Sequence, residues 1–240
     1  MKSRMFHLWQ DKRIKTWNPF VGCRFNCHYC WARRIARRLK CDLCKSFTPH
    51  FHVERITSKM LPRNGVVFVC DMGDISFSWE VYPYLTCLER LMQFIEHFQK
   101  KASTVFFFET KKPSFYYSIM LRLGDFKPSQ TMLSTTIETN KHELTSQISK
   151  APNPKLRYMD MKLLNWPRKH ISIEPIMDFD PDVMFKWITE IEPEIVSIGY
   201  DNYNNHLPEP PLSKTLKLIE DLEASGIIVE RKTLREAQKK

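Results

Sequence analysis

Three cysteines stand close together near the start of the chain, in the run Gly22-Cys23-Arg24-Phe25-Asn26-Cys27-His28-Tyr29-Cys30. The spacing is C-x3-C-x2-C. Three thiolates this close can grip one face of a [4Fe–4S] cube, because iron–sulfur clusters are held by cysteine sulfur. The fourth iron then lacks a nearby cysteine, and an open coordination position lets a metal centre hold a small molecule directly. Cys41 and Cys44 are poor candidates for that corner. A helix over the roughly ten residues after Cys30 carries the chain about 15 Å away. The competing reading is a zinc site, with His28 or a distant residue as fourth ligand, or a disulfide cluster. The seven cysteines are odd in number and five fall between 23 and 44, which is unlike a disulfide framework. In a reducing compartment, clustered thiols more often bind metal.

A second group follows. Cys41-Asp42-Leu43-Cys44 is a C-x2-C half-site for tetrahedral zinc, and His50-Phe51-His52 offers two more ligands. The H-x-H spacing is tighter than the usual H-x3–5-H, and Pro49 constrains the approach to it. The alternative is a buried turn beside ordinary surface histidines. Between the two groups, Arg33, Arg34, Arg37, Arg38 and Lys40 line the polar face of a predicted helix, a ridge able to track phosphates.

These residues need a scaffold. Short apolar runs alternate with amphipathic stretches, which predicts β-α units and a mostly parallel sheet. Strands are expected at 13–17, 66–70, 104–108, 131–137, 170–173, 195–198 and 227–229. Helices are expected at 31–39, with Ala32, Ile35, Ala36 and Leu39 on one face, and at 84–99, with Leu88, Leu91, Met92 and Ile95 inward. Others are expected at 114–123, on both sides of 151–154, after Pro181, and from an N-cap at Ser213 to about Ala224, with Gly226 beyond. Residues 41–63 lack a period and read as an insertion; 231–240 read as a mobile basic tail. Six or seven strands joined by right-handed crossovers give a barrel, complete or partial, or a doubly wound sheet. In either, ligands gather beyond the carboxyl ends of the strands. The polar residues there are 71–74, 109–112, Glu138, 174–178 and 200–202.

Hydrophobic residues make up 42% of the 240-residue chain, enough to exclude global disorder. No apolar run approaches the roughly 18 residues needed to span a bilayer. The N-terminus has positive charge without the apolar stretch of a secretory signal, so a cytoplasmic protein is expected. The net charge of +10 makes nucleic acid a candidate partner. Trp79, Trp166 and Tyr200 are candidates to stack on bases.

The three-cysteine run, with Tyr29 before its last cysteine, resembles the signature of the radical S-adenosylmethionine superfamily. Thr16-Trp17-Asn18-Pro19-Phe20-Val21-Gly22-Cys23 and Tyr29-Cys30-Trp31-Ala32 resemble a branch common in phages and prokaryotes. The loop is also similar to that of spore photoproduct lyase relatives. The resemblance implies an α/β fold, a partial (β/α)6 TIM-like barrel with the Cys/His insertion after its first helix, in one domain. It implies a [4Fe–4S] cluster on Cys23, Cys27 and Cys30, S-adenosylmethionine on its open iron, and a flavodoxin- or ferredoxin-type electron donor. Reductive cleavage would then give a 5′-deoxyadenosyl radical. Met72-Gly73-Asp74 falls where the superfamily has a Gly-Gly-Glu-like segment for the methionine amino group, with one glycine missing and aspartate for glutamate. Gly73 allows close backbone approach and Asp74 can accept from an ammonium. By the same resemblance, Glu138 meets the ribose hydroxyls, and Tyr29 meets adenine through its backbone. Lys111 is a candidate for the cofactor carboxylate or a substrate phosphate. The expected substrate is a nucleic acid or nucleotide, undergoing repair or modification. The alternatives are a peptide or small metabolite, or a noncatalytic iron–sulfur or zinc protein that binds nucleic acid.

Overall fold

The computed structural model describes residues 14–81 and 84–238. Arg13, the expected start of the first strand, and the N-terminal segment lie outside these residues, as do the last two of the basic C-terminal stretch. Among the described residues, seven strands form the main sheet, in the order β1 (Ile14–Trp17), β4 (Asn64–Val69), β5 (Ser103–Glu109), β6 (Thr131–Thr136), β7 (Lys169–Ile173), β8 (Ile195–Ile198) and β9 (Ile228–Arg231), and β2 (Phe20–Val21) and β3 (His50–Phe51) make a separate pair. The chain divides into two compact units.

The first unit holds Cys30–Thr110, Ser114–Leu133 and the chain up to Arg24. β1 (Ile14–Trp17), β4 (Asn64–Val69) and β5 (Ser103–Glu109) run parallel. Val66–Val69 and Val105–Phe108 are buried without a break, as strands covered on both faces should be. Phe68 and Phe107 meet edge to face at 4.9 Å. Between β4 and β5, α3 (Tyr84–Gln99) turns Leu88, Leu91, Met92 and Ile95 into the core, as its periodicity predicts.

Three expectations need correction here. The helix after the cysteine run, α1, covers only Trp31–Ala36. Arg38 and Leu39 donate to carbonyls three residues back, so the last turn tightens instead of extending the helix. Ile35 is 40% exposed, and the buried face is Ala32 and Ala36, whose small size lets Phe47 close over them. The insertion is also more ordered than its lack of period suggested. It carries α2 (Asp42–Lys45) and β3 (His50–Phe51), which pairs antiparallel with β2 (Phe20–Val21). The helix expected over 114–123 stops at Ser118 as α4 (Ser114–Ser118) and resumes as a 3-10 turn at Met120–Arg122.

The second unit holds Phe25–Tyr29, Lys111–Pro113 and Ser134–Lys240; β6 (Thr131–Thr136) contributes its last three residues. α5 (His142–Ser146) and α6 (Pro154–Leu163) follow. β7 (Lys169–Ile173), β8 (Ile195–Ile198) and β9 (Ile228–Arg231) run parallel. They are separated by α7 (Pro181–Ile191) and α8 (Leu212–Ala224). Ser213 lies inside the first turn of α8. Pro211 occupies the cap position, and its fixed φ suits the entry to a helix. The basic stretch from Arg231 begins within β9, and Arg235 pairs with Glu209 at 2.6 Å. Parallel strands alternating with helices make this the expected α/β class of partial (β/α) barrel, with seven strands where the resemblance implied six.

A row of polar side chains crosses the second unit. Ser197 Oγ donates to Glu230 Oε2 at 2.9 Å, and Glu230 also pairs with Lys232 at 2.8 Å. With its proton committed, Ser197 Oγ accepts from His170 Nε2 at 2.9 Å, so Nδ1 is the acceptor for the Ser134 hydroxyl at 2.8 Å. Burial holds His170 neutral by pushing its pKa down to about 3.

Candidate metal and cofactor sites

The loop that carries the three cysteines leaves β2 and enters α1. None of the three is in a disulfide, and each is half-buried. Cys23 and Cys30 pack against one patch of the first unit, formed by Ala32, Ala36 and Phe47, together with Met72. Cys30 caps α1, its Sγ accepting from Arg33 N at 3.4 Å. Cys27, in the second unit, lies 3.1 Å from Ser149 Oγ. Its stretch is tied down by His28 N donating to Ile148 O and Lys150 N to Phe25 O.

The start of the loop rests against the end of β4 through bare backbone. Gly22 N donates to Met72 O and Asp74 N to Gly22 O, both at 3.1 Å. A Cβ on Gly73 would sit 2.6 Å from Gly22 O, so the close approach needs glycine there. Asp74 is 6% exposed. Its Oδ1 accepts from Ser76 N (3.0 Å), Ser76 Oγ (2.7 Å) and Thr110 Oγ1 (2.6 Å). Asp71, next to the loop's anchor, has one buried oxygen with no hydrogen-bond partner among the described residues. Burial raises its carboxyl to about 6, against the pull of Asn18.

In the second unit, Tyr29, Lys111 and Glu138 come together. The Tyr29 hydroxyl and the Lys111 ammonium both donate to Glu138 Oε1, and Arg157 Nη1 donates to Oε2 at 2.8 Å. Lys111 Nζ also lies 5.4 Å from the centre of the Tyr29 ring, within cation–π range. Glu138 is wholly buried. Burial alone would raise its pKa, but the two cations overcome that and hold it near 2. Tyr29 stays a neutral donor, its pKa pushed up by burial and by the Glu138 charge. The ring packs with Met177 and Leu207, and Cys27 lies against this patch. Arg157 was missed from sequence. It lies in mid-helix in a charged stretch, and nothing local distinguishes it from a solvated arginine.

Cys41, Cys44, His50 and His52 also converge, their ligand atoms all within 4.8 Å of one another. Arg34, Arg37, Arg38 and Lys40 are exposed, whereas Arg33 is half-buried over the Phe47 ring at 5.5 Å. Of the aromatics considered for stacking, Trp79 is 40% exposed, while Tyr200 is buried and bonded to Thr215 and Pro210 O. Cys70 is buried beyond β4, and burial pushes its thiol up. Among the described residues, no helix is long and apolar enough to cross a membrane.

No protein-family profile and no curated protein matches the chain. Solved structures do. Streptococcus suis SuiB bound to precursor peptide SuiA aligns over 91% of this chain and 48% of its own, at 10% identity and a TM-score of 0.60. A radical SAM methyltransferase from Sphaerobacter thermophilus aligns over 93% and 67%, at 13% identity and a TM-score of 0.56. A cysteine-to-alanine variant of spore photoproduct lyase with dinucleoside spore photoproduct aligns over 86% and 60%, at 10% identity and a TM-score of 0.51. The chain thus spans about half to two thirds of the length of these structures. At such identities the likeness shows a shared fold.

Proposed function

We propose that this chain is a radical S-adenosylmethionine enzyme acting on a nucleic acid or nucleotide. The observation that carries the reading is the loop 22–30. It carries three cysteines within eight residues, none in a disulfide and each half-buried, in a chain that shares its fold with a radical SAM methyltransferase. Cys23, Cys27 and Cys30 would hold a [4Fe–4S] cluster. The donor set fits: three thiols stand within eight residues, while Cys41 and Cys44, the next cysteines in the chain, are engaged with His50 and His52. With S-adenosylmethionine bound, that cluster supplies one-electron cleavage of the sulfonium and so a carbon radical able to abstract hydrogen. A low-potential flavodoxin- or ferredoxin-type donor would deliver the electron.

The protein's own residues bind, orient and exclude water. Gly73 lets the strand end approach the loop through backbone alone, and Asp74 fixes the turn after it. Tyr29, Lys111, Glu138 and Arg157 act as one preassembled polar unit. Two cations against one carboxylate leave a single positive charge, which suits the carboxylate of the cofactor or a substrate phosphate. The exposed arginines of α1 and the net charge of +10 favour a polyanionic substrate.

The test is anaerobic reconstitution and reduction with S-adenosylmethionine, reading 5′-deoxyadenosine by mass spectrometry. DNA and RNA labelled with deuterium are supplied in parallel with peptide pools. Cleavage lost in Cys27→Ala, and deuterium carried from nucleic acid into 5′-deoxyadenosine, are expected. A fully reconstituted cluster that never cleaves the cofactor would sink the enzyme reading. Deuterium arriving only from peptides would overturn the choice of substrate.

A further inference from the structure

We propose that Cys41, Cys44, His50 and His52 form a tetrahedral zinc site whose role is to fix the strand leading into the three-cysteine loop. The site is separate from the radical chemistry and does not depend on it. Cys44 Sγ lies 3.1 Å from His52 Nε2 and 3.4 Å from His50 Nε2. Cys41 Sγ lies 3.5 Å from His50 Nε2, and the two Nε2 atoms are 2.9 Å apart. Zinc–sulfur and zinc–nitrogen bonds of about 2.3 and 2.0–2.1 Å give tetrahedron edges of roughly 3.3–3.8 Å. The two sulfur–His50 separations fall in that range, the other two are a few tenths of an ångström shorter, and all four ligand atoms lie within 4.8 Å of one another, so they converge on one ion; a two-iron cluster divides its ligands between two metals and needs a wider set.

The surrounding hydrogen bonds decide which nitrogens face inward. His50 Nδ1 is 2.7 Å from Thr48 O, and His52 Nδ1 is 3.0 Å from Glu54 Oε1. Both oxygens can only accept, so each Nδ1 carries the proton and each Nε2 presents a lone pair. Two facing imidazole lone pairs repel, and a shared cation turns that repulsion into two bonds. Carbonyl and carboxylate partners on the outer nitrogens are the usual support of metal-bound histidine. Two thiols and two imidazoles select zinc over oxygen-seeking cations. Four protein ligands, with Cys44 and His50 buried, leave no open position, which marks a structural site.

What the metal fixes follows from the backbone. His50 is the strand partner of Val21, and Phe51 of Phe20. His52 N donates to Pro19 O at 2.7 Å, and Cys23 N to Phe47 O at 3.2 Å. Segment 47–52 is thus the bed on which 19–23 lies, and two of the four ligands sit in it.

Metal analysis of the full chain, with cobalt loading of chelator-stripped protein, tests this. We expect one zinc per chain, retained when Cys23, Cys27 and Cys30 are all replaced by alanine and lost in Cys41→Ser/Cys44→Ser. Cobalt should give thiolate charge-transfer bands and the intense ligand-field bands of a tetrahedral site. Metal should slow amide exchange in both 47–52 and 19–23. Zinc that follows the three-cysteine run, or a cobalt spectrum that is octahedral or absent, overturns the site. Slowed exchange in 47–52 alone overturns the positioning role. If the double-serine variant does not fold, the cobalt spectrum of the unaltered chain decides.

Discussion

Glu138 is the residue on which the second unit's charge balance turns. It is wholly buried with Arg157, which is 1% exposed. Removing its charge leaves the guanidinium without compensation, so Glu138→Gln should lose about 3–5 kcal/mol in denaturant unfolding. Its pKa is depressed to about 2 from 4.5. The stabilisation is therefore complete above about 4.5 and is lost as pH falls from there toward 2. His170 is a base held at about 3 instead of 6.5. Folding excludes its proton, so stability declines as pH drops from about 6.5 toward 3. Unfolding midpoints against pH should show that His170→Asn flattens the upper part of the acid limb and Glu138→Gln only the lower part. Glu138 and Lys111 were legible in the sequence because they follow strands whose apolar runs are plain. Arg157 and Ser149 were not, since their importance comes from what lies opposite, and opposition is a tertiary fact.

At the scale of elements, two glycines with positive φ make a controlled comparison. A Cβ on Gly22 would meet Thr48 O at 2.4 Å with φ +101°, whereas one on Gly226 meets nothing within 4 Å at φ +88°. Gly226→Ala carries strain alone, about 1 kcal/mol. Gly22→Ala adds a backbone collision, for a total of about 2–4 kcal/mol, and should lower iron incorporation because Cys23 is the next residue. Thermal melts and iron content check both. The regular elements were readable wherever one period ran long enough, as in α3 or β8. The β2–β3 pair escaped because two-residue strands carry no period; partner and turn define them. α1 falls short of its expected length because its last turn tightens, Arg38 and Leu39 bonding carbonyls three residues back instead of four, which periodicity does not reveal.

For the whole molecule, the charge of +10 sets a measurable expectation. If Arg34, Arg37 and Arg38 meet phosphates, replacing all three by glutamine should reduce the slope of log K against log salt by about 2–3. Fluorescence anisotropy with a labelled oligonucleotide would measure it, and an unchanged slope would remove α1 from the interface. The fold class was legible because apolar runs and amphipathic stretches alternate along most of the chain. The meeting of Tyr29, Lys111, Glu138 and Arg157 was not, because these residues are separated by up to 128 positions in sequence. The pairing of β3 with β2 bears on how the chain could be shortened. An excision of 41–52 looks harmless on paper, since it removes a detour between two crossovers. It would strip Phe20 and Val21 of their only ladder among the described residues, baring apolar amide edges of the kind that glue molecules into aggregates. A minimised version of this protein should therefore fail first by precipitating.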